Sequence, residues 1–353
     1  MKKMSWLLPI FILSAPAVFP GQAEVLPEVM KPDQFLLSGN RMYIGEKHRV
    51  YILSLPDVKL VQTIGKPGEG PGEFKLGHGI NNLTIDVVDG KLAIGSIGKL
   101  SLFTLAGKFL EEFKVPAFSH FIPIKGGYIS STSVAKGEDL PVQGIVLFDR
   151  EMKRKKILLE TTLFTGMGAD IPVPKPSHKF LVYGNNIYVS GDRESIAIEV
   201  FDLEGNRRSR ISYPAKRNRI TQEYIRKLKN YYKTSPDWKN YWDYLKQYLS
   251  FPDYFPAVRD FLIDRDLIYV QTFEVENQRI KWLVFDLNGN LKKEARLPVI
   301  HFHTDRSPLH GIRQGTYYYL EENIEEEAWE LKKIQIDDAP MVRTDRKGSK
   351  NPF

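Results

Sequence analysis

The sequence predicts an all-β fold, a six-bladed β-propeller with a helical insertion between blades four and five, on three observations. An apolar strand ending in an FDLxGN-like turn recurs six times along the 353 residues. Ahead of each copy sits a second Gly, Asn or Asp turn followed by a short aromatic or aliphatic strand. The composition, with 26 Gly, 22 Pro, 17 Tyr and 20 Phe, supplies turn formers and bulky strand residues in quantity. Repeats of about 40–50 residues read as propeller blades. The length, which on domain size alone suggests two or three domains, is therefore read as one closed architecture.

Residues 1–23 are expected to be a cleavable export signal. Lys2 and Lys3 precede an apolar stretch broken by Pro9 and Pro16, and Gly21-Gln22-Ala23 offers small residues before Glu24. The stretch is too short and proline-broken for a membrane span of about 20 residues, so no transmembrane segment is expected after cleavage. Together these predict a secreted or periplasmic protein. The chain has no cysteine, which removes disulfides, thiolate metal sites, thiol nucleophiles and a lipidated lipoprotein cysteine. A formal charge of +7 is too mild to argue for nucleic acid. With 42% hydrophobic and 26% charged residues, the chain has an ordinary globular composition, and a monomer is expected.

In chain order the strand–turn copies are YILSLPD at 51–57, LFTLAGK at 102–108, LFDREMK at 147–153, VFDLEGN at 200–206, VFDLNGN at 284–290 and a degenerate WELKK at 329–333. Anchored at positions 53, 103, 148, 201, 285 and 331, they are 50, 45, 53, 84 and 46 residues apart. The hairpins ahead of them are GNRMYI at 39–44, DGKLAI at 89–94, GGYI at 126–129, GNNIYV at 184–189, DLIYV at 266–270 and GTYYY at 315–319. Such turns tolerate positive φ and join antiparallel strands tightly. Six hairpins and six anchors make six four-stranded meanders, and a ring of meanders hides their edges. The sixth lacks an obvious fourth strand, so residues 24–30 are expected to supply it. The propeller then spans 24–340, with a disordered tail over 341–353.

The FDLxGN turns, together with IGKPGEGPGEF at 64–74, carry a family resemblance. The chain resembles the NHL-like six-bladed β-propellers of exported bacterial proteins, over nearly all of its mature length. The resemblance implies a fold, not an activity.

The 84-residue spacing exceeds its neighbours by about 35, the size of an added helical pair rather than a seventh blade. The insertion lies at about 219–252. Thr221 is placed to cap a helix carrying Tyr224, Leu228, Tyr231 and Tyr232. Ser235-Pro236-Asp237 reads as the start of a second helix bearing Trp238, Tyr241, Trp242 and Leu245. Trp238, Tyr241, Trp242 and Tyr254 are candidates for a lid or a sugar-stacking surface, against the plainer reading that the aromatics glue the helices to the propeller.

In a propeller the first strand of each blade lines the channel, and the linkers between blades gather on one face. The linkers here, 65–77, 164–177 and the insertion, should meet over one channel mouth. His78, His120, His178 and His310 sit where linkers enter inner strands, and Arg259 takes that place in repeat five. At equivalent positions, four imidazoles and a guanidinium would converge. Neutral imidazoles could hold Zn²⁺ with a water position left open, whereas protonated ones beside Arg259 could bind a carboxylate or phosphate. The acidic run at 321–327 could take Ca²⁺ but lacks the spacing of a dedicated loop. The glycine-rich loop has no following Lys-Ser/Thr, and no Gly-x-Ser-x-Gly elbow occurs. The first function expected is a non-catalytic module binding a small molecule, glycan or protein at the linker face. The alternatives are a metal-dependent lyase or hydrolase built on the histidine ring, and a carbohydrate binder using the aromatic insertion.

Overall fold

A computed structural model describes residues 23–77, 83–117, 120–136, 139–161, 171–174, 178–191, 194–236, 238–299 and 309–336. The signal, the tail, His78 and most of the linker at 164–177 fall outside these. Six four-stranded antiparallel sheets form the blades. Blade one is Gln34–Ser38, Arg41–Glu46, Arg49–Ser54 and Leu60–Ile64, and blade two is Thr84–Val88, Lys91–Ser96, Lys99–Thr104 and Phe109–Lys114. Blade three is His120–Ile124, Gly127–Lys136, Asp139–Phe148 and Arg154–Thr161, and blade four is Phe180–Tyr183, Asn186–Ser190, Ile196–Asp202 and Arg207–Tyr213. Blade five is Asp260–Asp264, Leu267–Glu276, Arg279–Asp286 and Leu291–Pro298. Blade six has His310–Arg313, Thr316–Asn323 and Ala328–Gln335, and its outermost strand is Glu24–Leu26 from the other end of the chain. That strand pairs antiparallel, Glu24 with Leu331 and Leu26 with Trp329, and Trp329 Nε1 donates to the Met30 carbonyl at 3.0 Å. The edge of blade six that an FDLxGN turn would lead into is taken by Glu24–Leu26 instead.

The repeated turn joins the third and fourth strands of a blade. Asp202 Oδ1 accepts from the amides of Glu204 (3.1 Å) and Asn206 (2.7 Å). Asp286 Oδ1 accepts likewise from Asn288 (3.0 Å) and Asn290 (2.8 Å), and Asp149 does so from Glu151 and Lys153. In blade two Thr104 Oγ1 takes the Lys108 amide at 3.0 Å. The turn glycine has a second duty. Gly107, Gly205 and Gly289 have φ of +91°, +85° and +86°, a region that costs a side chain dearly. Each also faces the preceding blade, so that a Cβ on Gly205 would lie 2.7 Å from Leu147 Cδ1 and one on Gly107 2.8 Å from Ile52 Cδ1. The motif is thus both a turn and a contact between blades.

The core is divided accordingly. Six clusters of buried side chains each span two consecutive blades, such as Trp282 and Tyr317 between five and six, and Trp329 and Met42 between six and one. The glycine-rich loop belongs to this packing. Phe74, fully buried, inserts between blades one and two with its ring 6.2 Å from that of Phe103. Gly70 N donates to Glu73 Oε2 at 2.9 Å, and Lys99 Nζ to the Gly70 carbonyl at 2.7 Å. None of its described residues lines the axial cavity itself. Its Lys75 carbonyl accepts from Ile97 N at 3.1 Å, on the channel wall.

The insertion is shorter in helix than its sequence suggests. Helix α1, Gln222–Thr234, is capped by Thr221 Oγ1 accepting from Tyr224 N at 3.1 Å. The second helix is a 3₁₀ turn, Lys239–Tyr241, followed by a single α-turn, Trp242–Leu245. Ser235 is buried and serves both helices: its amide donates to the Tyr231 carbonyl at 2.8 Å, closing α1, and its carbonyl accepts from Lys239 N at 2.8 Å, opening the short second one. Ile171–Pro172, from the linker between blades three and four, pairs in parallel with Leu249–Ser250. Val173 joins Leu228 and Tyr232 in a small separate core. Two linkers therefore fuse into one cap. No helix among the described residues is long and apolar enough to cross a membrane.

Candidate functional site

All six inner hairpins close with two-residue turns: 39–40, 89–90, 125–126, 184–185, 265–266 and 314–315. Counting back from the turn puts the six inner strands on one scale. The fifth residue before each turn is Gln34, Thr84, His120, Lys179, Asp260 and Leu309 in blades one to six. The third is Leu36, Asp86, Ile122, Leu181, Leu262 and Gly311. Residues two apart on a strand share a side, and ten of these twelve line a cavity of ≈ 680 Å³ on the propeller axis. The leading tier is polar in five blades of six. The tier nearer the hairpins is apolar or glycine apart from Asp86.

The predicted residues His120, His178, Arg259 and His310 all line this cavity. They are not equivalent in register, which corrects the expected ring. His120 is fifth before its turn, His178 and Arg259 sixth, and His310 fourth. Linkers of unequal length hide the start of an inner strand, whereas its hairpin end is sharp. Thr84 takes the leading-tier place in blade two, six residues beyond His78.

Their bonding also separates them. His120 Nε2 lies 2.5 Å from Asp86 Oδ2, across blades two and three. His310 is buried and belongs to a network across blades four, five and six. Lys179 Nζ donates to Asp260 Oδ1 at 2.9 Å, and the Phe261 amide donates to the same oxygen at 2.8 Å. His310 Nε2 is 3.0 Å from Asp260 Oδ2, and Tyr317 OH is 3.1 Å from His310 Nδ1. Burial alone would raise the Asp260 carboxyl, but the Lys179 ammonium and the His310 hydrogen bond hold it below the usual carboxylate range. Burial pushes His310 below its ordinary value, against the pull of Asp260, and pushes the Tyr317 hydroxyl well above its own. One assignment satisfies every group: an ionised Asp260, a protonated Lys179, and a neutral His310 that donates from Nε2 and accepts from Tyr317 at Nδ1.

Arg259 stands above this network, its amide bonded to the Gln271 carbonyl at 2.8 Å and its guanidinium 5.9 Å from the Phe273 ring. Burial lowers its pKa from the ordinary value, with Tyr317, Asp260 and Tyr224 acting in the other direction. Phe273 stacks on Phe255 at 4.9 Å, and Phe255 meets Tyr224 of α1 edge-on at 4.9 Å. An aromatic column thus ties the cap to the channel wall at Arg259.

The candidate lid residues do not line the cavity. Trp238 and Trp242 are half-buried in the core of the cap, where the carbohydrate reading required one of them to be exposed. Tyr241 is exposed, and Tyr254 lies under Arg217, 4.2 Å from ring to guanidinium. Among the described residues no three His, Asp or Glu side chains are grouped to hold a metal ion. Sequence reasoning missed Gln34, Thr84, Asp86, Lys179 and Asp260, although the count back from each turn was available to find them.

A family model described as a 6-bladed beta-propeller (DUF5128) matches residues 28–235. No curated protein matches the sequence. Among solved structures, the Pan2 WD40 domain of Neurospora crassa is 8% identical over 89% of this chain and 95% of its own, with a TM-score of 0.42. The β-propeller domain of the Trilobed protease from Pyrococcus furiosus is 11% identical over 87% and 84%, at 0.40. Kuenenia stuttgartiensis hydrazine synthase is 12% identical over 87% and 80%, at 0.37. Likeness at this level carries no functional information.

Proposed function

The chain belongs to the DUF5128 family of six-bladed β-propellers, and on that premise we propose that it is a binding module whose ligand is a small molecule held on the propeller axis. The observation that carries this reading is the ≈ 680 Å³ cavity, to which all six blades contribute. Its size falls within the roughly 300–1,000 Å³ of small-molecule sites. Lys179, Asp260, His310, Asp86 and His120 are fixed by bonds between blades rather than left on loops, which is how a rigid site is prepared for a ligand. The finer resemblance, to NHL-like propellers, rests on the FDLxGN turns and the loop at 64–74, and the export reading rests on Lys2, Lys3 and the apolar run that follows them. N-terminal sequencing of the protein recovered outside the cytoplasm tests the export reading, a start at Glu24 being the expected result.

The cavity is tested by thermal shift with a panel of carboxylates, sugars, nucleosides and divalent metal salts, on the protein and on Thr84→Trp, which fills the channel from blade two. At least one compound is expected to raise the melting temperature, and Thr84→Trp to abolish that rise. A panel without any shift, or shifts that survive the plug, would remove the cavity as the binding site.

A further inference from the structure

Independently of the axial cavity, we propose that the cap is a docking surface for an anionic phospholipid bilayer, its basic outer side against the headgroups and Tyr241 and Tyr244 seated among them. Three observations carry this.

The first is where the charge lies. An excess of +7 is mild for the whole chain, but it is not spread evenly. Residues 214–256, the insertion with its flanks, hold nine Lys and Arg against four Asp and Glu. From Glu24 onward the rest of the chain balances, with 39 of each. The linker at 164–177 that pairs with the insertion adds one Asp and one Lys, which leaves the excess unchanged. All nine cations of the insertion are exposed. The propeller is thus a neutral body with one basic feature, and a local potential of that kind attracts an anionic surface.

The second is how these cations are held. Helix α1 turns Leu228 and Tyr232 into the core of the cap, which leaves Arg226, Lys227, Lys229 and Lys233 on its outer side. Lys227 pairs with Glu223 at 2.9 Å and Lys246 with Asp243 at 2.7 Å, and Arg217 reaches Glu194 of blade four at 3.7 Å. Exposed pairs of this kind contribute little in water, so they yield readily to headgroup phosphates. Lys229 stands 5.3 Å from the Phe251 ring and Arg217 4.2 Å from the Tyr254 ring. Aromatic faces support these two cations at the surface without cancelling their charge.

The third is the company the charge keeps. Tyr241 is 60% exposed and Tyr244 45%, on the short turns Lys239–Tyr241 and Trp242–Leu245. Lys239 and Lys246 flank them. Tyrosine beside lysine suits the membrane–water interface, where the ring lies at headgroup level and the ammonium reaches the phosphates. A soluble polyanion would use the charge but leave both rings in water. The hairpin between the second and third strands of blade six shows the contrast. It emerges on the same face as the linkers, and its exposed Ile324 lies among the exposed Glu322, Glu325, Glu326 and Glu327, which an anionic surface repels. The docking surface is therefore the cap and not the whole linker face.

The chain has no cysteine, so a single introduced thiol carrying an environment-sensitive fluorophore reports contact directly. In the full chain, Asn240→Cys puts the probe on the cap, and Asn185→Cys puts it on the inner hairpin of blade four, at the opposite face. With vesicles of phosphatidylcholine and phosphatidylglycerol the probe at 240 is expected to shift to the blue, and the probe at 185 to stay unchanged. Phosphatidylcholine alone should leave both unchanged. Raising salt from about 0.1 M to about 1 M shortens the screening length from about 10 Å to about 3 Å and should release the protein. Each cation near such a surface is worth about fivefold in partitioning. Arg226→Gln, Lys233→Gln and Lys239→Gln together should therefore weaken binding at least tenfold, whereas Lys233→Arg with Lys239→Arg should retain it. These three residues take part in none of the pairs above, and Lys233→Gln with Lys239→Gln is the second route if the triple variant does not fold. Tyr241→Ser should weaken binding a few-fold while keeping its salt dependence. A probe at 240 that ignores the mixed vesicles, or answers neutral ones equally, would overturn the proposal. So would binding that survives the loss of the three cations. Binding of dextran sulfate without binding of vesicles would assign the cap to a soluble polyanion and remove the bilayer. Thr84→Trp should bind vesicles as the unaltered protein does, which keeps this test separate from that of the cavity.

Discussion

Asp286 and Asp260 belong to the same blade, and both carboxyls are held below their ordinary range, but the two regions around them are built on different logic. Asp286 sits at an outer turn, where the Lys292 ion pair and the donors of Asn290 surround it in contact with solvent. Its equivalents Asp202 and Asp149 do the same work in other blades. Asp260 is buried on the inner wall, and its partners Lys179 and His310 come from the blades on either side. Among the described residues, blades two and three repeat only the carboxylate–histidine half of it, Asp86 with His120. The rim repeats because each turn must solve the same local problem of reversing the chain against the blade before it. The wall does not repeat because its six strands together shape one asymmetric cavity, so each contributes something different.

Replacing each carboxylate by alanine tests this division most severely. Asp260→Ala leaves a half-buried lysine and a buried histidine without the anion between them. It should cost about 3–5 kcal/mol in urea-induced unfolding, the usual result of breaking a buried pair. Asp286→Ala leaves only exposed groups, which water re-solvates, and should shift the midpoint several-fold less. Equal effects at the two sites would erase the distinction between rim and wall.

Glycine sharpens the picture of the rim. Gly126 and Gly205 share nearly the same left-handed backbone, with φ of +88° and +85°. A Cβ on Gly126 meets nothing within 4 Å, whereas one on Gly205 meets Leu147 of the preceding blade. Gly126→Ala should cost about 1 kcal/mol of backbone strain. Gly205→Ala should cost about 1–2 kcal/mol more, because a well-packed neighbour must move. Equal costs for the two would mean that the FDLxGN glycine serves the turn only and not the seam between blades.

These contrasts also explain what could be read in advance. Blade number, the insertion after Tyr213, the cap at Thr221 and the clasp of Glu24–Leu26 all follow from turn chemistry and spacing, which are local in sequence. The site followed only in part. His120, His178, Arg259 and His310 were found as residues near the starts of inner strands, but their register was misjudged because linkers vary in length. Lys179 and Asp260 carried no motif at all. Their meaning comes from a bond between blades 81 positions apart, and only the common count back from the hairpin turns puts them on the same tier. The second helix of the insertion failed for another reason. Ser235 does open a turn, its carbonyl accepting from Lys239 N at 2.8 Å, but the residues after it run as a 3₁₀ turn and a single α-turn rather than a long helix.

The smallest expected effect concerns a carboxylate that belongs to neither rim nor wall. Asp33 precedes the leading tier of blade one, and its Oδ2 accepts from the Lys47 amide at 3.1 Å. Beside it Glu46 Oε2 accepts from Met30 N at 3.1 Å, next to the clasping strand. Burial raises the Asp33 carboxyl from 3.8 to about 7, with the Lys47 amide opposing and the Glu46 charge adding to the rise. A carboxyl raised on folding binds its proton more tightly in the native state. Its contribution is therefore fully present below pH 3.8 and is lost as the pH rises through about 7. His310, depressed by burial, acts in the opposite sense: its contribution is present above the ordinary histidine value and lost as the pH falls through its lower folded value. Asn at position 33 keeps an acceptor for the Lys47 amide but cannot ionise. Asp33→Asn should therefore leave urea stability unchanged near pH 4 and raise it by about 1 kcal/mol near pH 8, a figure reduced from the full shift because the side chain is partly exposed. The acid limb governed by His310 should be the same in both proteins. A gain at pH 4 equal to that at pH 8 would place the effect in packing rather than in the charge.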